Sequence, residues 1–301
     1  MPADDGFILC RSSDLLADRH FHTILRFNMI PSFPRSYKNR FPFRMGTTSF
    51  IYPDHYARNV QLLGPFFDEI ELLFFESRFE DSLPSRNAVQ ELKDLSQQHG
   101  VSYNIHLPVD VTLGDDSMTK RMHAVDTINR FIDRTQPLSP STSTLHLVKP
   151  ESIQNKTDIR NWQDALYWSL GKVAGKEFNG KNLSIENLLY PMDLIDPIIR
   201  EFHLSVCLDI GHLILSGQDM EKPFETWKDA ISIVHLHGAA GGKDHLCLDQ
   251  PASGQMKQVI SKLRDFTGTV SLEVFSFSKL HSSMAILERM WDNRSTDCVS
   301  R

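Results

Sequence analysis

From Phe43 onward, short β-like apolar runs alternate with longer stretches whose apolar positions recur at helical spacing. That alternation predicts repeated βα units and a parallel sheet. Eight strands are expected: Arg44 to Ser49, Ile70 to Glu76, Ser102 to His106, Thr144 to Val148, Leu183 to Asn187, Ser205 to Asp209, Ser232 to His237 and Val270 to Phe275. Helices are expected at Ser85 to His99, Thr119 to Thr135, Trp162 to Ala174, Pro191 to Glu201, Glu225 to Ala230, Ser253 to Phe266 and Lys279 to Met290. Eight strands over about 245 residues match the usual size of a closed (β/α)8 barrel. The predicted fold class is therefore α/β, a TIM barrel with an irregular N-terminal extension. The alternative, an open doubly wound sheet, would carry a Gly-rich phosphate turn after its first strand, and Gly46-Thr47-Thr48 is not one.

Residues 1–42 keep neither period and are punctuated by Pro31, Pro34 and Pro42. They are expected to form an extension outside the core, with the barrel at 43–290 and a tail at 291–301. Met29 is a candidate alternative start, and Met1 to Leu16, opening with Asp4 and Asp5, reads poorly as a signal peptide. Gly241-Gly242, after the seventh strand, and the polar segment Pro150 to Asn161, after the fourth, are expected to be loops.

Composition narrows the functional classes. At 41% hydrophobic and 23% charged, a chain of 301 residues can bury a large core unaided. No segment approaches the roughly 20 apolar residues of a membrane helix. The net charge of -6, with no long basic run, gives no footprint for nucleic acid. Cys10, Cys207, Cys247 and Cys298 are dispersed and form no C-x-x-C pair, which suits a reducing, cytoplasmic setting. Cys207, inside the sixth strand, is read as a small core residue, and Trp162, Trp168 and Trp227 as packing.

The 13 histidines change the picture, because many fall where a barrel does its chemistry. Reactive side chains in this fold sit at the C-terminal ends of the strands. Strands three to eight end in His106, His146, Glu186, Asp209 (with His212 three residues later), His235 with His237, and Glu273, and the loop after strand seven carries Asp244 and His245. A closed barrel gathers these groups at one mouth, where carboxylates and imidazoles need neutralising. Mixed imidazole and carboxylate donors point to a divalent transition metal such as Zn, Mn or Fe.

The set resembles the xylose-isomerase-like barrel superfamily, which includes sugar epimerases and the endonuclease IV group of phosphodiesterases, over about residues 44–285. The resemblance implies one metal on Glu186, Asp209, His235 and Glu273, and further zinc ligands at His106, His146, His212 and His245. Here Asp244 and His245 are adjacent where the family has Asp-x-His, and His237 stands where endonuclease-IV-like proteins usually have Asn. Asp244, His237 and Glu76 are accordingly placed among substrate contacts.

A closer resemblance is to the CbiR-type cobamide-remodelling phosphodiesterases. It rests on Arg44-Met45-Gly46-Thr47-Thr48-Ser49-Phe50-Ile51, Phe74-Phe75-Glu76-Ser77, His106-Leu107-Pro108, Ile185-Glu186-Asn187-Leu188, Val206-Cys207-Leu208-Asp209-Ile210-Gly211-His212, His235-Leu236-His237-Gly238 and Leu272-Glu273-Val274-Phe275. It implies hydrolysis in the nucleotide loop of a cobamide, with two or three divalent ions, zinc first and Mn, Fe or Co as alternatives. Glu186, Glu273 and Asp209 are the implied catalytic carboxylates, and Glu186 doubles as a candidate general base. A one-metal sugar isomerase or epimerase and a non-catalytic ligand-binding barrel are the competing expectations.

Overall fold

The computed structural model describes residues 30–79, 81–173, 179–250 and 253–293. Met29, His20, His22, Cys10 and Cys298 lie outside the described residues. The chain divides into Met1–Ser32 and Phe33–Arg301, and every helix and strand among the described residues lies within the second unit.

Eight parallel strands close into a barrel: β1 (Arg44–Thr48), β2 (Glu69–Leu73), β3 (Ser102–His106), β4 (Ser143–Leu145), β5 (Leu183–Glu186), β6 (Ser205–Asp209), β7 (Ile231–Leu236) and β10 (Thr269–Leu272), with β1 pairing both β2 and β10. A short antiparallel hairpin, β8 (Gly238–Ala240) and β9 (Lys243–Leu246), follows β7. The outer helices are α1 (Tyr56–Leu63), α2 (Arg86–His99), α3 (Met118–Thr135), α4 (Lys156–Val173), α5 (Asp196–Glu201), α6 (Ile210–Ser216), α7 (Lys222–Thr226), α8 (Ser253–Leu263) and α9 (Phe277–Asp292). This is the expected TIM barrel.

The strands sort their side chains by alternation. Ile70, Leu72, Val206, Leu208, Val270 and Leu272 are buried in the apolar core. The intervening positions, Glu69, Glu71, Cys207, Asp209, Thr269 and Ser271, belong to the opposite face of the same strands and fill the barrel. Such interiors are usually packed with branched apolar residues; this one is polar. At its N-terminal end, Glu69 accepts hydrogen bonds from Ser102, Asn104, Ser141 and Thr269, with Arg44 Nε 3.2 Å away, so the buried carboxylate is compensated.

Several boundaries differ from expectation. Strand β4 is only three residues long, so His146 projects from the loop beyond it. Helix α4 begins at Lys156 and absorbs half of the expected Pro150–Asn161 loop, because the Asn155 side chain accepts from the amides of Thr157 and Asp158 and caps it. Helix α7 starts earlier than expected, with Pro223 in its first turn, where the missing amide costs nothing. The expected loop at Gly241-Gly242 is the hairpin turn, with φ of 58° and 76°.

Residues 33–43 carry no helix or strand, yet Phe33 and Tyr37 are buried against Phe67, so from Phe33 onward the expected extension packs on the barrel. No helix among the described residues is long and apolar enough to cross a membrane.

Candidate metal centre

The barrel delivers every nominated ligand to its C-terminal end. His106 and Glu186 are the last residues of β3 and β5, and Glu273 follows β10 directly. Asp209 closes β6 and also caps α6, accepting the His212 amide at 2.6 Å. The sequence Asp-Ile-Gly-His thus turns strand into helix within one residue and swings His212 back over the mouth. His235 lies inside β7, and β9 brings in His245, whose backbone takes the left-handed conformation (φ 51°).

Glu186 is the hub. His146 Nε2 lies 3.0 Å and His106 Nε2 3.4 Å from its Oε2, and His212 Nδ1 lies 3.4 Å from its Oε1. On the other side, His235 Nδ1 stands 3.0 Å from Glu273, 3.5 Å from Glu186 and 3.9 Å from Asp209. His245 Nε2 reaches Glu273 Oε1 at 3.6 Å. Five triplets have ligand atoms within 4.8 Å of one another: His106/His146/Glu186, Glu186/Cys207/His235, Glu186/Asp209/His212, Asp209/His235/Glu273 and His237/His245/Glu273. Glu186 belongs to three of them.

The outer partners of the histidines, which sequence could not reveal, fix which nitrogen faces the cluster. His106 Nδ1 is 3.0 Å from the Leu107 carbonyl, and donating there leaves its Nε2 free to ligate; His212 Nδ1, 2.8 Å from the Asn187 carbonyl, is itself the nitrogen nearest Glu186, while its Nε2 stands 3.9 Å from Asp244 Oδ2. Asp244 Oδ1 sits 2.9 Å from His245 Nδ1 and so directs His245 Nε2 toward Glu273. His237 is fully buried with both ring nitrogens engaged: Nε2 donates to Asp209 Oδ2 at 3.0 Å and Nδ1 accepts the His245 amide at 3.0 Å. Through these contacts the ring ties Asp209 to the hairpin. Glu76 pairs with Arg78 on the rim, apart from the clustered ligands.

Charges here are strongly perturbed. Burial alone would raise Glu186, but His146, His106 and His235 outweigh it and hold the carboxyl well below its usual range. Glu273 is held down likewise by His235 and His245. Burial works against a charged imidazole, yet Asp209 and Glu186 keep His212 at about 9, and Glu273 and Asp244 keep His245 at about 11. Burial pushes the Cys207 thiol up, and its sulfur lies within 4.8 Å of ligand atoms of Glu186 and His235.

The residues fit divalent transition metals. His235 Nδ1 is buried, faces three carboxylates and has no aligned hydrogen bond, which is the position of a lone pair awaiting a cation. Sequence reasoning missed the aromatic walls beside the ligands: the Phe75 ring is 4.9 Å from His106, the Phe275 ring 4.8 Å from His245, and the two phenyl rings are 6.2 Å apart. It also missed Asn187, whose side chain bonds the backbone N–H and C=O of Asp209.

The family profile described as xylose isomerase-like TIM barrel matches residues 58–291. No curated protein matches by sequence. Among solved structures, a D-tagatose 3-epimerase-like protein aligns with a TM-score of 0.71 at 19% identity, covering 85% of this chain and all of its own. Endonuclease IV from Thermus thermophilus aligns at 0.62 and 15% identity, covering 83% of this chain and 99% of its own. An L-ribulose 3-epimerase aligns at 0.62 and 16%, covering 86% and 98%. At such identities the likeness is one of fold.

Proposed function

The chain belongs to the xylose isomerase-like TIM barrel family, and from that premise we propose that it is a metal-dependent phosphodiesterase holding two or three divalent ions, zinc first and Mn, Fe or Co as alternatives. The observation that carries the proposal is the sharing of Glu186. One ion needs only Glu186, Asp209, His235 and Glu273, yet His106 and His146 form a further triplet on the same carboxylate, and His212 another. A one-metal isomerase would leave these further triplets without an ion.

Bound divalent ions would polarise a phosphoryl group and bring the pKa of a water toward about 7. The chain supplies the rest. Glu186 and Glu273 each have two oxygens to share between sites, Asp209 is held rigid by His237 and Asn187, and the carbonyls of Leu107 and Asn187 orient His106 and His212. Glu76, beside Arg78 on the rim, and Asp244, half-exposed beside His245, are our candidate substrate contacts.

The finer substrate we propose is a cobamide, cleaved in its nucleotide loop. Beyond the motif resemblance, the mouth supports a bulky, partly apolar ligand. Phe50 and Phe79 (each 54% exposed), Leu189 (61%) and Phe275 (36%) all lie on loops following barrel strands, and Phe275 pairs with Phe75 beside the histidines. Neither a nucleic acid nor a membrane is expected as partner. The free thiols of Cys207 and Cys247 suit the cytoplasm. Incubating metal-replete protein with complete cobamides and seeking loss of the lower nucleoside by mass spectrometry tests the proposal; unchanged substrate across several metals and lower bases refutes it.

A sugar isomerase or epimerase is the second reading, favoured by the Glu186, Asp209, His235, Glu273 quartet, in which the two glutamates would act as acid and base. Ketose epimerisation with one ion per chain supports it. Turnover of neither substrate class leaves the ligand-binding barrel.

A further inference from the structure

Beneath the nominated ligands lies a buried acid that the proposed chemistry does not use. Glu71, on β2, is fully buried and reaches across the barrel until its Oε1 stands 3.0 Å from Nε2 of His235 on β7. Its other oxygen accepts a 2.6 Å hydrogen bond from Ser271 Oγ on β10, the residue paired with His235 in the sheet. His235 is thus flanked on both edges: Nδ1 faces Glu186, Asp209 and Glu273, and Nε2 faces Glu71 alone among the carboxylates. Neither His235 Nε2 nor Glu71 Oε1 makes an aligned hydrogen bond, with each other or with any other group, so their 3.0 Å approach is an unsatisfied pairing that a small rotation would complete. A carboxylate buried in the middle of a barrel is costly unless it does something for a partner.

We infer that Glu71 is the positioning residue of the metal centre, fixing the proton of His235 on Nε2 so that the Nδ1 lone pair is presented to the cation. The neutral ring has one proton for two nitrogens. Were it on Nδ1, it would point among three carboxylates and block ligation at the centre of the cluster. The negative charge of Glu71, anchored by Ser271, favours the other tautomer, and a ring so oriented is also more basic toward metal. Glu71 touches neither substrate nor ion, and its role is exerted through His235.

The inference rests on the quartet's holding a metal, not on phosphodiester hydrolysis, so its test reads metal directly. Zinc affinity of the full chain is measured by chelator competition for wild type, Glu71→Gln, Glu71→Ala and Ser271→Ala, with the imidazole tautomer read from ¹⁵N shifts of the zinc-loaded protein. Outer-shell acceptors of this kind typically change affinity by about 10- to 100-fold. The expected result is a loss of that size at one site in Glu71→Ala and a smaller one in Glu71→Gln, which keeps an acceptor oxygen, and in Ser271→Ala, which keeps the carboxylate. The His106/His146 site serves as internal control and should hold zinc as before. If Glu71→Ala does not fold, the other two variants carry the test. Unchanged affinity and tautomer in folded variants, even with a lowered Tm, overturn the inference, since a merely structural role would move stability alone. Failure of the wild type to bind zinc overturns both the metal reading and this inference, whereas absence of phosphodiesterase activity touches only the former proposal.

Discussion

Gly211 offers a test of how tightly the centre is built. A Cβ there would stand 1.9 Å from His237 Cε1, 2.4 Å from Nδ1 and 2.7 Å from Nε2, all inside contact distance. The imidazole cannot drift, because it donates to Asp209 and accepts from the His245 amide. Gly211→Ala must therefore break both bonds. Losing the neutral bond costs about 1 kcal/mol and the bond to the carboxylate about 1.5–3 kcal/mol, and overpacking adds about 1–3 kcal/mol. A destabilisation of about 3.5–7 kcal/mol results, a Tm fall on the order of 10 °C for a chain this long. Asp209 and His245 are released together, so metal content should fall too. Differential scanning calorimetry and elemental analysis check this. A His237→Ala background removes the obstacle, and there Gly211→Ala should be neutral or slightly stabilising, since alanine is the better helix former in α6. An unchanged Tm for Gly211→Ala in the wild-type background, or an equal penalty in both backgrounds, refutes the reasoning.

Three further outcomes are expected of the site. Because His212 titrates at about 9 and His245 at about 11 without metal, both are protonated at neutral pH and must lose protons to ligate. Zinc binding should therefore release protons and tighten as pH rises, seen by calorimetry in buffers of differing ionisation enthalpy; no proton release contradicts the assignment. The same raised values mean that the metal-free chain has this stabilisation in full below the unfolded histidine value of about 6.5 and loses it as pH climbs through about 9 toward 11, whereas zinc-loaded protein should not. Glu186→Gln, striking three triplets at once, should lower bound metal to at most one ion and turnover by about 100-fold or more, whereas His146→Ala should cost one ion. Equal losses from the two would remove Glu186 from its central place.

The barrel was legible because its strands alternate cleanly: Ile70 and Leu72 between Glu69 and Glu71, or Val206 and Leu208 between Cys207 and Asp209, announce both period and face. The ligands were legible because they terminate those strands. What escaped depended on non-local partners. Helix α4 hid its first turn because apolar periodicity starts only at Ile159 and Trp162, although Asn155 was a readable cap. The partners of the His237 ring were not legible locally, since β7 ends at Leu236 and the ring is held by Asp209 and the hairpin. Glu71 shares a face with Glu69 in the sequence pattern, but nothing local says that one is ringed by donors and the other meets a histidine across the barrel.

The most direct test of the central claim is the metal-to-protein ratio of the chain purified without chelator, measured by inductively coupled plasma mass spectrometry. From the sharing of Glu186 among three candidate triplets the proposal predicts two or three divalent ions per chain, zinc foremost. A ratio of one after saturating incubation with zinc, manganese, iron and cobalt in turn contradicts the multi-metal phosphodiesterase and leaves the epimerase reading in its place.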